Sequence, residues 1–326
     1  MKKIFLFAAV AMVSLSSCVK TNESFTGKVQ AIGFKSAVTR GVIQDQADFT
    51  YPIAVSAVLD NTEDGVENFK PYFTNAEFVY DSGTWKGVPT RYWPNSGSMY
   101  FLAFCPAPKT ATMITNYEAS TGRIKNLTVS GIDNNIVSQH DVLYSDLLGE
   151  IEAPQTDVQA LQFRHALAQL NLYFKKTASG AEVVVNSVLL EGGLFGGTLV
   201  INPDEDGEST IEWVNTDSPK NRYFNKDLSV AGIEVGTLDA ELVADSNFSP
   251  MPLLTIPMDT PGKVKITYTV DGHQQVAEKD LATKSDKWEA GFKYNYYFTV
   301  NVNEILFDCT VDGWEVVNYD SPGFTI

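Results

Sequence analysis

Residues 294–302 read YNYYFTVNV. Tyr294, Tyr296, Phe298, Val300 and Val302 fall at every second position, the period of a strand with one buried face and not that of a helix. The same period returns in Phe49, Tyr51, Ile53, Val55 and Ala57, and in Val264, Ile266, Tyr268 and Val270. Residues 99–106, MYFLAFCP, form a continuous apolar run instead, as expected of a strand covered on both faces and ended by Pro106. Turn clusters stand between such runs: DNTEDG, DSGTW, PNSG, EGG, NPDEDG and VDG. Short strands with this punctuation predict an all-β chain of antiparallel β-sandwiches. Helical signals are few. In PQTDVQALQFRHALAQLNLYFKK a helix start is readable at Thr156–Asp157, but Leu170, Leu172 and Phe174 alternate, so the second half reads as a strand. A domain boundary near residue 160 divides a segment 41–160 from a segment 161–326.

The chain opens MKKIFLFAAVAMVSLSSCVKTNES. Lys2 and Lys3, the apolar stretch Ile4 to Val13 and the small residues Ser16 and Ser17 have the anatomy of a secretory signal peptide. Ten apolar residues rise about 15 Å as a helix, half of a bilayer core of roughly 30 Å. Leu-Ser-Ser-Cys resembles the bacterial lipobox, which marks Cys18 as the lipidated first residue of the exported protein and residues 1–17 as its signal. A multiply acylated cysteine is a stable membrane anchor, because each buried methylene contributes roughly 0.8 kcal/mol and one chain alone holds only marginally. Cys105 and Cys309 remain. One disulfide between them is open, although the apolar setting of Cys105 favours a buried thiol.

The formal net charge is −16 with a pI near 4.6. Residues 1–40 hold six basic residues and one acid, while the remainder holds eighteen basic against thirty-nine acidic residues. A basic leader thus precedes an acidic body. That body excludes a nucleic-acid partner and an electrostatic grip on anionic lipid. At roughly 290 residues it is long enough for two domains of ordinary size.

Four blocks then stand in a characteristic order: AIGFKSAVTRG from residue 31, AEFVYDSGTWKGVPTRYWPNSGSMYFLAFCP from 76, DVLYSD from 141, and LQFRHALAQLNLYFKK from 161. In order and spacing they resemble the fimbrillin-like lipoproteins of Bacteroidales-type bacteria. KYNYYFTVNV and the late Trp314 extend the likeness more loosely. The resemblance implies two tandem transthyretin-like antiparallel β-sandwich domains. It implies an outer-membrane lipoprotein precursor carried to the cell surface, whose partners are other fimbrial subunits. In pilin members a trypsin-like protease cuts after an arginine and removes the lipidated leader with a first strand; a strand of a neighbouring subunit then fills the groove. Carried over to this chain, the cleavage falls at Arg40–Gly41, within a leader 18–40. Arg91 and Arg123 compete as single basic residues. The removed strand is Val29 to Phe34. The donor strand comes from Ile305 to Ile326, offering Trp314, Val316 and Tyr319. A donor burying about four or five large apolar side chains gains roughly 1.5–3 kcal/mol from each. Uncleaved anchor subunits also fit the family, and a monomeric lipid-anchored module recognising glycan or host protein is the alternative.

Catalytic and metal-binding patterns are sparse. None of His140, His165 and His273 stands in a metal-ligand spacing, so no metal or cofactor is expected. His140–Asp141 beside Ser138 suggests a triad, but neighbours on a strand face opposite ways. His165 reads as a structural histidine. EGGLFGGTL lacks the ending of a phosphate loop, so its glycines read as turns or bulges. Asn202, Asp204, Asp206 and Gly207 fit the first positions of a calcium loop, yet position 12 is Trp213, with Glu212 one place early; an acidic hairpin turn is the alternative. Tyr92, Trp93 and Trp85 suit sugar stacking or a sandwich core. An enzyme is not expected.

Overall fold

The computed structural model describes residues 30–36, 50–107, 111–134, 139–177, 181–223, 233–234, 240–241, 253–301 and 304–314. Its described residues are β-strands joined by turns, with a single 3₁₀ turn at Leu281–Thr283. The helix start readable at Thr156 is not formed. Gln159–Leu161 is a strand, paired with the first strand of the chain. Two residues of approach do not amount to a helix nucleus, and a sheet partner satisfies the same backbone groups at once.

The described strands form four sheets. The first is built from β1 (Gly33–Ser36), β2 (Ile53–Asp60), β3 (Phe69–Asp81), β4 (Thr84–Gly87), β5 (Ser98–Cys105), β8 (Leu143–Ser145), β10 (Gln159–Leu161) and β11 (Phe163–His165), in the order β10-β1-β4-β3-β2-β5-β8-β11. β9 (Leu148–Glu152) adds to β5. β10 and β11 stand at opposite ends of this order yet are separated in the chain by Gln162 alone. The sheet therefore bends round until its two ends meet. The second sheet runs β15 (Ser209–Val214), β14 (Gly196–Pro203), β7 (Arg123–Asp133), β6 (Thr112–Glu118). Strands from before and after residue 160 thus share one sheet.

The third sheet runs β18 (Ala240–Glu241), β12 (Ala168–Lys176), β22 (Phe292–Val300), β23 (Ile305–Gly313), with β19 (Leu253–Thr255) also on β12. The fourth runs β16 (Lys220–Tyr223), β13 (Val183–Gly193), β20 (Lys263–Val270), β21 (His273–Asp280), with β17 (Ile233–Glu234) also on β13. Pairing is antiparallel except for β1 with β10 and β12 with β22. Each of these parallel neighbours is far from its partner in sequence, which leaves room for the long crossover that parallel strands require.

Three apolar clusters follow. Tyr294, Tyr296, Phe298 and Val300 point into the cluster between the third and fourth sheets, against Val264, Ile266, Tyr268 and Val270. The alternation at 264–270 and 294–300 thus marks one shared core. Inside the first sheet lie Ile53, Val55, Ala57, Met99, Phe101, Ala103 and Cys105. Between the first and second sheets lie Ala54, Val58, Tyr100, Leu102, Phe104, Leu127, Val129, Leu199 and Ile201. β5 is therefore buried on both faces, as its unbroken apolar run requires. β2 is buried on both faces as well, although its sequence alternates. Its second set is Ala54, Ser56 and Val58, small enough to lie beneath a covering sheet without advertising a core face.

Candidate functional site

β1 is the element that the strand-removal reading singles out. It lies between β4, antiparallel through Gly33↔Lys86 and Phe34↔Trp85, and β10, parallel through Phe34↔Gln159, Lys35↔Ala160 and Ser36↔Leu161. The segment leading into it is held too. Ile32 N–H donates to Arg91 O at 2.7 Å, and Trp93 N–H donates to Gln30 O at 3.0 Å. Gln30 Nε2 donates to Thr156 O at 3.3 Å. Ile32 and Phe34 are fully buried, while Ala31 and Lys35 face solvent. Phe34 meets Phe78 edge-on with ring centroids at 5.0 Å and Phe101 at 5.2 Å. Such aromatic contacts add to area burial. Residues 30–36 therefore bury two large side chains, Ile32 and Phe34.

The aromatic residues considered for sugar stacking divide. Trp85 and Trp93 are core residues; Trp85 Nε1 donates to Tyr51 O at 2.9 Å, and Trp93 packs edge-on against Phe101 at 5.7 Å. Tyr92 is exposed, and its carbonyl accepts from Tyr72 Oη at 2.9 Å. Its period-2 placement between the inward Arg91 and Trp93 explains the difference.

Cys18, Arg40, Gly41, Val316 and Tyr319 lie outside the described residues, as does Val29. Trp314 is described, and it is buried in its own chain, in the cluster between the first and second sheets. Cys105 and Cys309 are free thiols in different clusters. Burial pushes Cys105 well above the ordinary thiol range, and Asp141 adds to the rise. Burial likewise pushes Cys309 up to about 11.

His140 is exposed, its ring edge-on to Tyr51 at 5.1 Å. Asp141 turns the other way and pairs with His165, Oδ2 to Nδ1, at 2.6 Å. Sequence reasoning missed this pair because its members are twenty-four residues apart and on separate elements. The acidic stretch at 202–208 is a hairpin turn joining β14 to β15, with Asp206 N–H donating to Asp204 Oδ1 at 2.9 Å. Among the described residues no group of three or more His, Cys, Asp or Glu is placed to hold a metal ion. The EGG cluster forms a bulge in β13, with a register shift between Leu190 and Gly193 and Gly192 at φ +87°. That backbone conformation suits glycine and few others.

The model of a family described as fimbrillin-like matches residues 39–314. The chain belongs to that family. Among solved structures, this fimbrillin-like chain is similar to a fimbrial protein from Bacteroides vulgatus, with 16% identity, 88% of this chain and 100% of that chain covered, and a TM-score of 0.56. It is similar to a candidate cell adhesion protein from Bacteroides uniformis, with 18% identity, 87% and 99% covered, and a TM-score of 0.53. A third, a candidate cell adhesion protein from Bacteroides ovatus, has 13% identity, 89% and 99% covered, and a TM-score of 0.52. These likenesses carry the fold. No curated protein matches the fimbrillin-like chain.

Proposed function

We propose that the chain is a structural or accessory subunit of a cell-surface fimbria, exported as a lipoprotein on Cys18 and joined to its neighbours by strand exchange after cleavage at Arg40–Gly41. The observation that carries this reading is β1. It is short, buried at Phe34 beside the buried Ile32, and paired on both sides, and in this reading it belongs to the leader rather than to the body. The family match begins at residue 39, beyond β1. Loss of β1 leaves unpaired backbone on β4 and β10 and uncovers Phe78 and Phe101, a surface that an added strand satisfies. Two large apolar side chains contribute roughly 3–6 kcal/mol together, before the backbone bonds are counted. The donor belongs after Trp314, among Val316, Tyr319 and their neighbours, since β23 is paired within its own chain and Trp314 is packed there. The chain acts by assembly and adhesion at the outer membrane surface, without catalysis or cofactor.

The test is the first residue of the mature protein, read by mass spectrometry of outer-membrane and sheared-surface fractions. A start at Gly41 in the sheared fraction is the expected result. Acylated Cys18 as the first residue of every molecule would mean that the seat stays filled. The chain would then be an uncleaved anchor subunit or a solitary lipid-anchored module binding glycan or host protein.

A further inference from the structure

Asp141 and His165 have no part in the strand seat, and their setting is unusual for an acidic surface protein. The contact of His165 Nδ1 with Asp141 Oδ2 is 2.6 Å long, and the two side chains are 1% and 4% exposed. The imidazole lies flat on the indole of Trp314, with centroids 3.7 Å apart and planes 10° from parallel. Lys293 Nζ stands 5.8 Å from the indole centroid. Trp314 N–H donates to Gly291 O at 2.6 Å, and Gly291 N–H donates to Leu167 O at 3.0 Å.

Trp314 directly follows β23. Among the described residues β23 is an edge strand, paired with β22 along one side, and its later residues are exposed. An edge strand of this kind frays from its end. Its first residue, Ile305, is fixed in the cluster between the third and fourth sheets. Its far end is fixed elsewhere, because Trp314 sits in the cluster between the first and second sheets. The surface on which the indole rests is the imidazole of β11, and Asp141 is the polar partner that orients that ring. A carboxylate contact is charge-assisted and directional, so it sets the tilt on which a flat stack depends.

We propose that Asp141 and His165 form a clasp on Trp314. The carboxylate orients the imidazole, the imidazole seats the indole, and the indole ties the end of β23 to β11. A pull on residue 314 is delivered to β11 and the cluster between the first and second sheets, and β23 is not peeled from β22. The clasp belongs to a single chain and does not depend on strand exchange.

Hydrogen exchange of the intact protein, followed by mass spectrometry, tests it. Asp141→Asn keeps the shape of the side chain and removes its charge. Amides of 305–314 are expected to exchange at least about tenfold faster, the consequence of losing a hydrogen bond to a charged group. Amides of the β20–β21 hairpin, on the far sheet, keep their rates. His165→Gln gives the same pattern and serves if the first variant does not fold. Trp314→Leu speeds the same amides, and adding Asp141→Asn to it changes nothing further, because the carboxylate acts through the indole. Unchanged rates at 305–314 in the Asp141 or His165 variants would overturn the proposal. So would equal acceleration of both regions, which marks a general loss of stability, or full additivity with Trp314→Leu.

Discussion

Phe34 is the residue on which the first sheet's interior closes. It is fully buried against Phe78 and Phe101, and its own strand has four residues to hold it. Phe34→Ala in the uncleaved chain is expected to cost about 3–5 kcal/mol, read from urea unfolding, while Lys35→Ala at the exposed neighbouring position stays within about 0.5 kcal/mol. An equal effect of both would show that β1 contributes pairing without packing. A second residue-scale expectation concerns alkaline pH. Cys309 is raised by burial from 9.0 to about 11, and Tyr144 by burial from 10.0 to about 12. In both cases the neutral form is favoured by folding. The stability linked to these groups is whole below the unfolded values and is lost as pH rises through the folded ones. Unfolding midpoints are therefore expected to hold between pH 7 and 9 and to fall between 9 and about 12. Cys309→Ser and Tyr144→Phe flatten the fall. A midpoint that stays constant to pH 12 in the wild type refutes the assignment.

At the scale of elements, the period-2 stretches at 264–270 and 294–300 gave their strands and their common core directly, since one buried face leaves the plainest trace a strand can leave. The double burial of β5 was equally open in MYFLAFCP. β10 was not, because Gln159–Leu161 is too short to show any period and owes its conformation to β1, more than a hundred residues earlier. The Asp141–His165 pair was hidden for the same reason, as contact across elements writes nothing into local spacing. β1 itself lends its place in the fold to a direct experiment. A protein beginning at Gly41 is expected to bind a synthetic peptide of residues 29–36, VQAIGFKS, and to lose that binding when Ile32 and Phe34 of the peptide become serine. Without peptide it is expected to self-associate, which light scattering after gel filtration reads. A stable monomer that ignores the peptide would show that β1 is dispensable cover.

At the scale of the whole molecule, the division at residue 160 is best proposed as two sandwiches with a shared seam. The second sheet takes β6 and β7 from one side of that residue and β14 and β15 from the other. The seam is tied by more than backbone pairing. Arg164 holds Asp146 through Nε at 3.0 Å and reaches Glu208 at 3.2 Å, and Ser209 N–H donates to Asp146 Oδ1 at 2.9 Å. A fragment 41–160 is therefore expected to show no cooperative thermal transition by circular dichroism, whereas the full chain unfolds in one step. Two well-separated transitions in the full chain would count against the seam.

β1 runs parallel to β10 and antiparallel to β4. Its two flanks are therefore unlike, and a strand entering with its ends reversed would exchange the parallel and antiparallel ladders and lose the register that seats Phe34. If subunits are joined through this seat as proposed, the filament has a direction: every subunit points the same way, one end offers a seat and the other a strand. Under that proposal the two ends of the filament are chemically different, and a subunit whose own β1 still fills the seat ends the filament on that side.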